Sequence, residues 1–312
     1  MGDFLTHILH ADDVTDKIES RRIYEGVMKK RSLYRLGAQG PDPFYFYNIF
    51  PGWGDKELRK MGGALHKQST GAFLKAGFER LSNLSWEDSW MDLAVYLAGF
   101  VCHFNLDRLL HPYVWWGSRV WIWSMDGTPA KATHQEIEVA LDVILWREMR
   151  GGPAYRVNTR KLMDIGHKWP QSVQDFLLDS LDEIYGVKTS PKAINKVLRD
   201  FYWGHDRLYD PRGWKKGLVN WLDAFTGGGI KPPKAPYPKR ENEAVDWANK
   251  KKRTWTNLFT CEEVYQTSVE DILKKASFEA ANQINTAFSR ILKREPIADL
   301  FPDISYDTGL LL

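Results

Sequence analysis

The chain has 312 residues, 43% of them hydrophobic and 27% charged, enough apolar material for a large buried core and too much for global disorder. A formal charge of +3 is too small at this length to point to nucleic acid. The only cysteines, Cys102 and Cys261, exclude a disulfide framework and read as small buried apolar residues.

Helical periodicity dominates from end to end, and no alternating strand pattern competes with it. A first helix is expected from near Asp3 through Leu9 to Ile18. A polar, basic stretch then leads into Gly37-Ala38-Gln39-Gly40-Pro41-Asp42-Pro43, where two prolines flanking an aspartate force a turn. A second helix, containing His66, spans about Lys56 to Leu81. Ser85 and Asp88 resemble a capping box that opens a third helix, and its apolar run continues to Leu110 until Pro112 stops it. An aromatic loop from Tyr113 to Trp123 ends in the turn Met125-Asp126-Gly127. Thr133 and Glu136 form a second capping box, for a helix from His134 to about Met149.

After Gly151-Gly152-Pro153 come amphipathic segments near 157–167, 171–185, 191–209 and 213–225. Gly227-Gly228-Gly229 and the proline-rich stretch Lys231 to Arg240 mark a long exposed loop. A last helix runs from Ser268 to Lys293. The expected fold is all-α, a single compact multi-helix domain over 1–312, with a metal-binding half at 1–150 and accessory helices at 151–312. The start of the sequence has no basic region followed by an apolar one, and no uncharged apolar run is long enough to span a bilayer. On these grounds the chain reads as cytoplasmic.

The chemistry concentrates on His103, Asp107 and His111. They stand four apart, so one helix stacks them turn upon turn on one face. Their neighbours Leu97, Phe100, Val101, Leu106, Leu109 and Leu110 are apolar, which makes two imidazoles and a carboxylate costly to bury without compensation. Hydrogen-bonded core histidines are one way out, and for any single histidine the commoner one. His134 and Glu138 repeat the spacing on the next helix, and the set together points to a metal. Nitrogen and oxygen donors without thiolate suit zinc, and carboxylates between imidazoles suit a catalytic site with open positions. Taken singly, His66 reads as an ordinary histidine and Asp42 as a turn residue. Only one of His7 and His10 is expected to face inward, while His167 and His205 read as structural or exposed.

Thr6-His7, Gly40-Pro41-Asp42, Leu65-His66, the run from His103 through Asp107 to His111-Pro112-Tyr113, and His134 with Glu138 together resemble the bacterial zinc-dependent phospholipase C family. Tyr209-Asp210-Pro211-Arg212-Gly213 and Trp255 to Thr260 extend the likeness over most of the chain. The resemblance implies a helical domain with two to three zinc ions in a cleft. Asp42, His66, His103 and Asp107 would hold one, and His111, His134 and Glu138 a second. His7 would share a third with the bridging Asp107. Secreted members complete that third site with an N-terminal tryptophan; here either the Gly2 amine, exposed by loss of Met1, or Asp3 substitutes, or the third site is weak or altered. The spacing from Asp107 to His111 is shorter than theirs but keeps one helical face.

The implied activity is phospholipase C-type hydrolysis of phospholipid to diacylglycerol and a phosphorylated head group, with Asp42 as ligand and general base. Glu136 or Asp142 could serve as a spare base, and Asp142, sharing a face with His134 and Glu138, equally as a partner behind the ligands. Phe44 and Tyr45, within the aromatic run to Tyr47, and Trp115 and Trp116 are candidate contacts for a choline head or acyl chains, or else ordinary core. The expected partners are phospholipid and, transiently, a membrane surface, with no nucleic acid and no obligate protein partner. The alternatives are a zinc nuclease or phosphoesterase of the same fold, whose aromatics would stack bases, and a non-catalytic metal-binding helical protein.

Overall fold

The computed structural model describes residues 4–49, 54–85, 87–212, 237–260 and 263–312. Among these residues the fold is all-α, with eleven α-helices and two short β-hairpins. The helices are α1 (Phe4–Thr15), α2 (Arg21–Lys29), α3 (Arg31–Gly37), α4 (Glu57–Lys67), α5 (Thr70–Asn83), α6 (Asp88–Arg119), α7 (His134–Arg150), α8 (Thr159–Met163), α9 (Gln171–Tyr185), α10 (Pro191–Leu208) and α11 (Val269–Lys293). A 3₁₀ turn covers Asp42–Phe46, between α3 and α4. The expected segment 213–225 and the triple glycine lie outside the described residues.

The long helix α6 is the axis, and α1, α3, α5, α7, α9 and α11 all pack against it. Its contact with α3 is a backbone crossing. A Cβ on Gly37 would lie 2.3 Å from the Tyr96 carbonyl oxygen, and one on Gly99 would lie 2.1 Å from that of Tyr34. Only two glycines permit so close an approach, and it delivers the loop after α3 to the middle of α6. By length and composition α6 could cross a membrane, but 89% of its apolar window is buried inside the molecule. The main apolar cluster runs from Phe4 to Tyr306 and draws on both sides of Gly151-Gly152-Pro153. A second cluster surrounds the C-terminal part of α6. The two meet along that helix, where Phe104 belongs to the first and Leu106 and Leu110 to the second.

Several boundaries differ from those expected. The basic stretch after α1 is two helices, because Ile23 and Val27, then Leu33, Tyr34 and Leu36, supply a buried stripe among the charges. The helix around His66 is broken at Ser69, whose φ is +48°, into α4 and α5. The C-terminal tail makes that break: Asp303 Oδ1 accepts the Gly71 and Ala72 amides at 2.8 and 3.2 Å, and Thr70 Oγ1 donates to the Ile304 carbonyl at 2.7 Å. Helix α6 begins at Asp88 behind Glu87, without the expected side-chain cap. It runs through Pro112 to Arg119, turning the start of the expected aromatic loop into helix. A proline inside a helix costs about 3 kcal/mol. Burial of Tyr113, Val114 and Trp116 in the second core offsets this, at roughly 1.5–3 kcal/mol for each large side chain.

Other boundaries agree with the sequence. The turn at Met125–Gly127 joins the strands Ile122–Trp123 and Pro129–Ala130. Thr133 and Glu136 form a reciprocal capping box on α7, as Ser268 and Asp271 do on α11. The far end of the proline-rich loop is less exposed than expected, because the half-buried Tyr237 donates its hydroxyl to Asp142 at 2.5 Å.

His205 is buried against Phe4, Phe46 and Phe201 and hydrogen-bonds Thr159 Oγ1 through Nδ1 at 2.6 Å. Burial lowers its pKa to about 3. A histidine held neutral stabilises the fold above its unfolded value of about 6.5, and that stability is lost as pH falls toward the folded value. Between pH 7 and pH 5 this one side chain is expected to cost about 2 kcal/mol. Thermal melts across that range should show a falling midpoint, and the fall should be shallower in His205→Gln. An equal slope in that variant would refute the assignment.

Candidate metal centre

Four elements converge on one buried strip of α6. Helix α6 contributes His103, Asp107 and His111, which share a face as their four-residue spacing requires. Helix α1 brings His7, the 3₁₀ turn brings Asp42 and α4 brings His66. Helix α7, started by its capping box immediately before His134, brings His134 and Glu138. All are buried except His134, whose side chain is 24% exposed.

Asp107 is the hub. Its Oδ1 lies 3.2 Å from His7 Nε2, and its Oδ2 lies 3.1 Å from His103 Nε2, 3.4 Å from His66 Nε2 and 3.8 Å from His111 Nδ1. Asp42 Oδ1 lies 3.5 Å from His66 Nε2. Farther along the strip, Glu138 Oε1 is 2.8 Å from His134 Nε2 and 3.8 Å from His111 Nε2. Three sets have donor atoms mutually within 4.8 Å: His7, His103 and Asp107; Asp42, His66 and His103; His111, His134 and Glu138.

The donor atoms fit a cation. His103 Nδ1 and Nε2, Asp107 Oδ1 and His134 Nδ1 are buried and make no aligned hydrogen bond among the described residues, even where a neighbour stands close. Each such group costs about 1–3 kcal/mol to bury. The orientation of His66 is settled from behind, since its Nδ1 donates to the Gly62 carbonyl at 2.5 Å and leaves Nε2 toward the carboxylates. Gly40 explains part of the Gly-Pro-Asp motif. It has φ +52°, and a Cβ there would lie 2.1 Å from the His103 ring, so only glycine lets the Asp42 turn close over that imidazole.

Electrostatics divide the histidines. Burial would raise the Asp107 carboxyl, but His103, His111 and His7 hold it well below the usual range. Burial likewise works against the Glu138 carboxylate, yet His111 and His134 help to keep it ionised. His66 loses by burial but is raised overall by Asp107 and Asp42, whereas burial keeps His103 lowered. The strip therefore gathers three carboxylates, Asp42, Asp107 and Glu138, around imidazoles of which His103 is held toward its neutral form, a donor set that suits a divalent cation.

Other candidates fall elsewhere. His7 and His10 are both buried, against the expectation that one faces out; His10 meets Ser277 Oγ at 3.2 Å and burial lowers its pKa to about 3. His167 is exposed and His205 is in the core. Glu136 is exposed and engaged in the α7 capping box, accepting from the Thr133 amide and hydroxyl at 2.7 and 2.8 Å, so it is no spare base. Asp142 accepts the Leu5 and Thr6 amides at 3.1 and 2.7 Å and the Thr6 hydroxyl at 2.7 Å. It caps α1. Phe44 and Trp116 are core residues, each 4% exposed, whereas Tyr45 and Trp115 are half-buried beside the strip. Their rings lie 5.7 Å from His66 and 4.5 Å from His134, respectively. Cys102 stays outside the cluster, bonded to the Tyr34 hydroxyl. Gly2 and Asp3 lie outside the described residues.

Sequence reasoning missed the C-terminal tail. Tyr306 is fully buried, with its ring 5.3 Å from His66 and 5.6 Å from His103, and its amide donates to the His66 carbonyl at 2.9 Å. Asp307 Oδ1 lies 3.6 Å from His111 Nδ1. No motif marks these residues, and only the fold brings them to the site.

Residues 6–210 match the sequence model of the family described as zinc dependent phospholipase C. No curated protein and no solved structure matches the chain.

Proposed function

The chain belongs to the zinc-dependent phospholipase C family, and on that premise we propose that it hydrolyses phospholipid to diacylglycerol and a phosphorylated head group. The observation that carries the reading is that three donor sets lie together inside the family-matched residues, with Asp107 within 4 Å of a histidine of each. We assign one zinc to Asp42, His66, His103 and Asp107, a second to His111, His134 and Glu138, and a third to His7 with Asp107. The core that links Phe4 to Tyr306 supports treating the chain as one domain, with its ligands in the first half.

Bound zinc would polarise a phosphoryl oxygen and make water more acidic at neutral pH. The protein's own groups supply the rest. Asp42 is the candidate general base that the family resemblance implies, and it faces His66 at 3.5 Å from the 3₁₀ turn. Tyr45 keeps its phenolic proton, since burial and then Asp42 push its pKa up, and it is therefore a donor for a phosphate oxygen. Trp115 is half-buried with its ring 4.5 Å from that of His134, which supports a substrate contact there. The nearby half-buried Trp121 and Trp123 are suited to an interfacial, transient contact with lipid.

The test is release of diacylglycerol and phosphorylated head group from phospholipid micelles, with a single-stranded oligonucleotide as the competing substrate. Lipid cleavage should disappear on chelation and return with zinc. Zinc-replete protein that cleaves only the oligonucleotide, or neither substrate, would overturn the proposal.

A further inference from the structure

We propose that Asp307, on the C-terminal tail, is a positioning residue of the metal centre that receives the Nδ1–H of His111 and so commits its Nε2 to zinc. The inference rests on the zinc reading above and deepens it. His111 Nδ1 is 3.6 Å from Asp307 Oδ1, a charge contact just beyond hydrogen-bond distance, while its Nε2 faces Glu138 Oε1 at 3.8 Å, in the set that also holds His134. An imidazole that ligates through one nitrogen donates through the other, and a carboxylate behind it fixes tautomer and ring plane. Nδ1 also has Asp107 Oδ2 at 3.8 Å, but that carboxylate already serves His7, His66 and His103.

The tail is built to hold this carboxylate still. Lys67, next in sequence to His66, grips Asp307 Oδ2 at 2.9 Å. Tyr306 is locked by burial and by its bond to the His66 carbonyl, and Asn257 Nδ2 donates to the Thr308 carbonyl at 3.1 Å. The Asp307 side chain is only 17% exposed. Asp307 lies beyond the family-matched residues.

A surface ion pair with Lys67 would give the same 2.9 Å contact without affecting metal, and the experiment separates the two. Zinc affinity is measured by chelator competition, and ligand geometry by the visible spectrum of the cobalt-substituted protein, in the parent, Asp307→Asn, Asp307→Glu and Lys67→Met. Asp307→Asn, which keeps the shape, should weaken one bound metal by roughly 10–100-fold and alter the cobalt spectrum. Asp307→Glu should restore most of the affinity, and Lys67→Met, which loosens the carboxylate without removing it, should lose clearly less than Asp307→Asn. Parent-like affinity and spectrum in Asp307→Asn, or an equal loss in Lys67→Met, would overturn this inference alone. A parent that binds no zinc would overturn it together with the proposed function.

Discussion

Asp107→Ala is expected to remove at least one zinc ion per chain and to lower lipid hydrolysis by roughly two to three orders of magnitude, or about 3–4 kcal/mol of transition-state stabilisation. The size of the effect follows from how many donors share this carboxylate: His7, His66, His103 and His111 all lie within 4 Å of it. Removing it leaves buried imidazoles without the charge that draws a cation to them, and it takes a ligand from two of the proposed sites at once. Asp107→Asn keeps the volume, so comparing the two separates charge from packing. Elemental analysis of both variants beside the parent, after purification in zinc-supplemented buffer, is the direct measurement. A parent-like zinc content in Asp107→Ala would dismiss the bridging role, whatever the activity.

Five of the proposed ligands are legible from spacing alone, whereas His7, Asp42 and His66 come only with the family resemblance. Four-residue spacing on a helix puts His103, Asp107 and His111 on one face wherever that helix goes, and the Thr133 capping box sets the first residue of α7 and so the direction of His134. What could not be read is decided by long-range packing. Pro112 is tolerated because residues beyond it fill the second core, and a proline by itself predicts the opposite. The helix containing His66 breaks because Asp303, more than two hundred residues later, caps α5. Tyr306 and Asp307 reach the strip by the same tail, and no spacing rule links residue 307 to residue 111. Phe44 and Tyr45 are adjacent and chemically alike, yet one is core and the other faces His66; the tight 3₁₀ turn makes that choice.

Asp142 shows the same limit from the other side. Helical spacing aligns it with His134 and Glu138, but the fold sends its carboxylate to the start of α1. There it takes two backbone N–H groups, the Thr6 hydroxyl and the Tyr237 hydroxyl, while being fully buried. The first amides of a helix have no partner within it, and a carboxylate there also meets the positive end of the helix dipole. Asp142→Ala would strand these donors in the interior. The expected loss is about 3–5 kcal/mol, by analogy with other broken buried charged networks. For a chain of this length that corresponds to a fall of about 5–8 °C in melting temperature. Asp142→Asn keeps one acceptor oxygen and should lose roughly half as much. Because His7 follows Thr6 directly, a loosened α1 should also release the zinc assigned to His7 and Asp107 while the set on His111, His134 and Glu138 stays filled. Melting curves and zinc counts on the same samples measure both effects. An unchanged melting temperature in Asp142→Ala would rule out the capping role, and a normal melting loss with full zinc would show that His7 keeps its place without it.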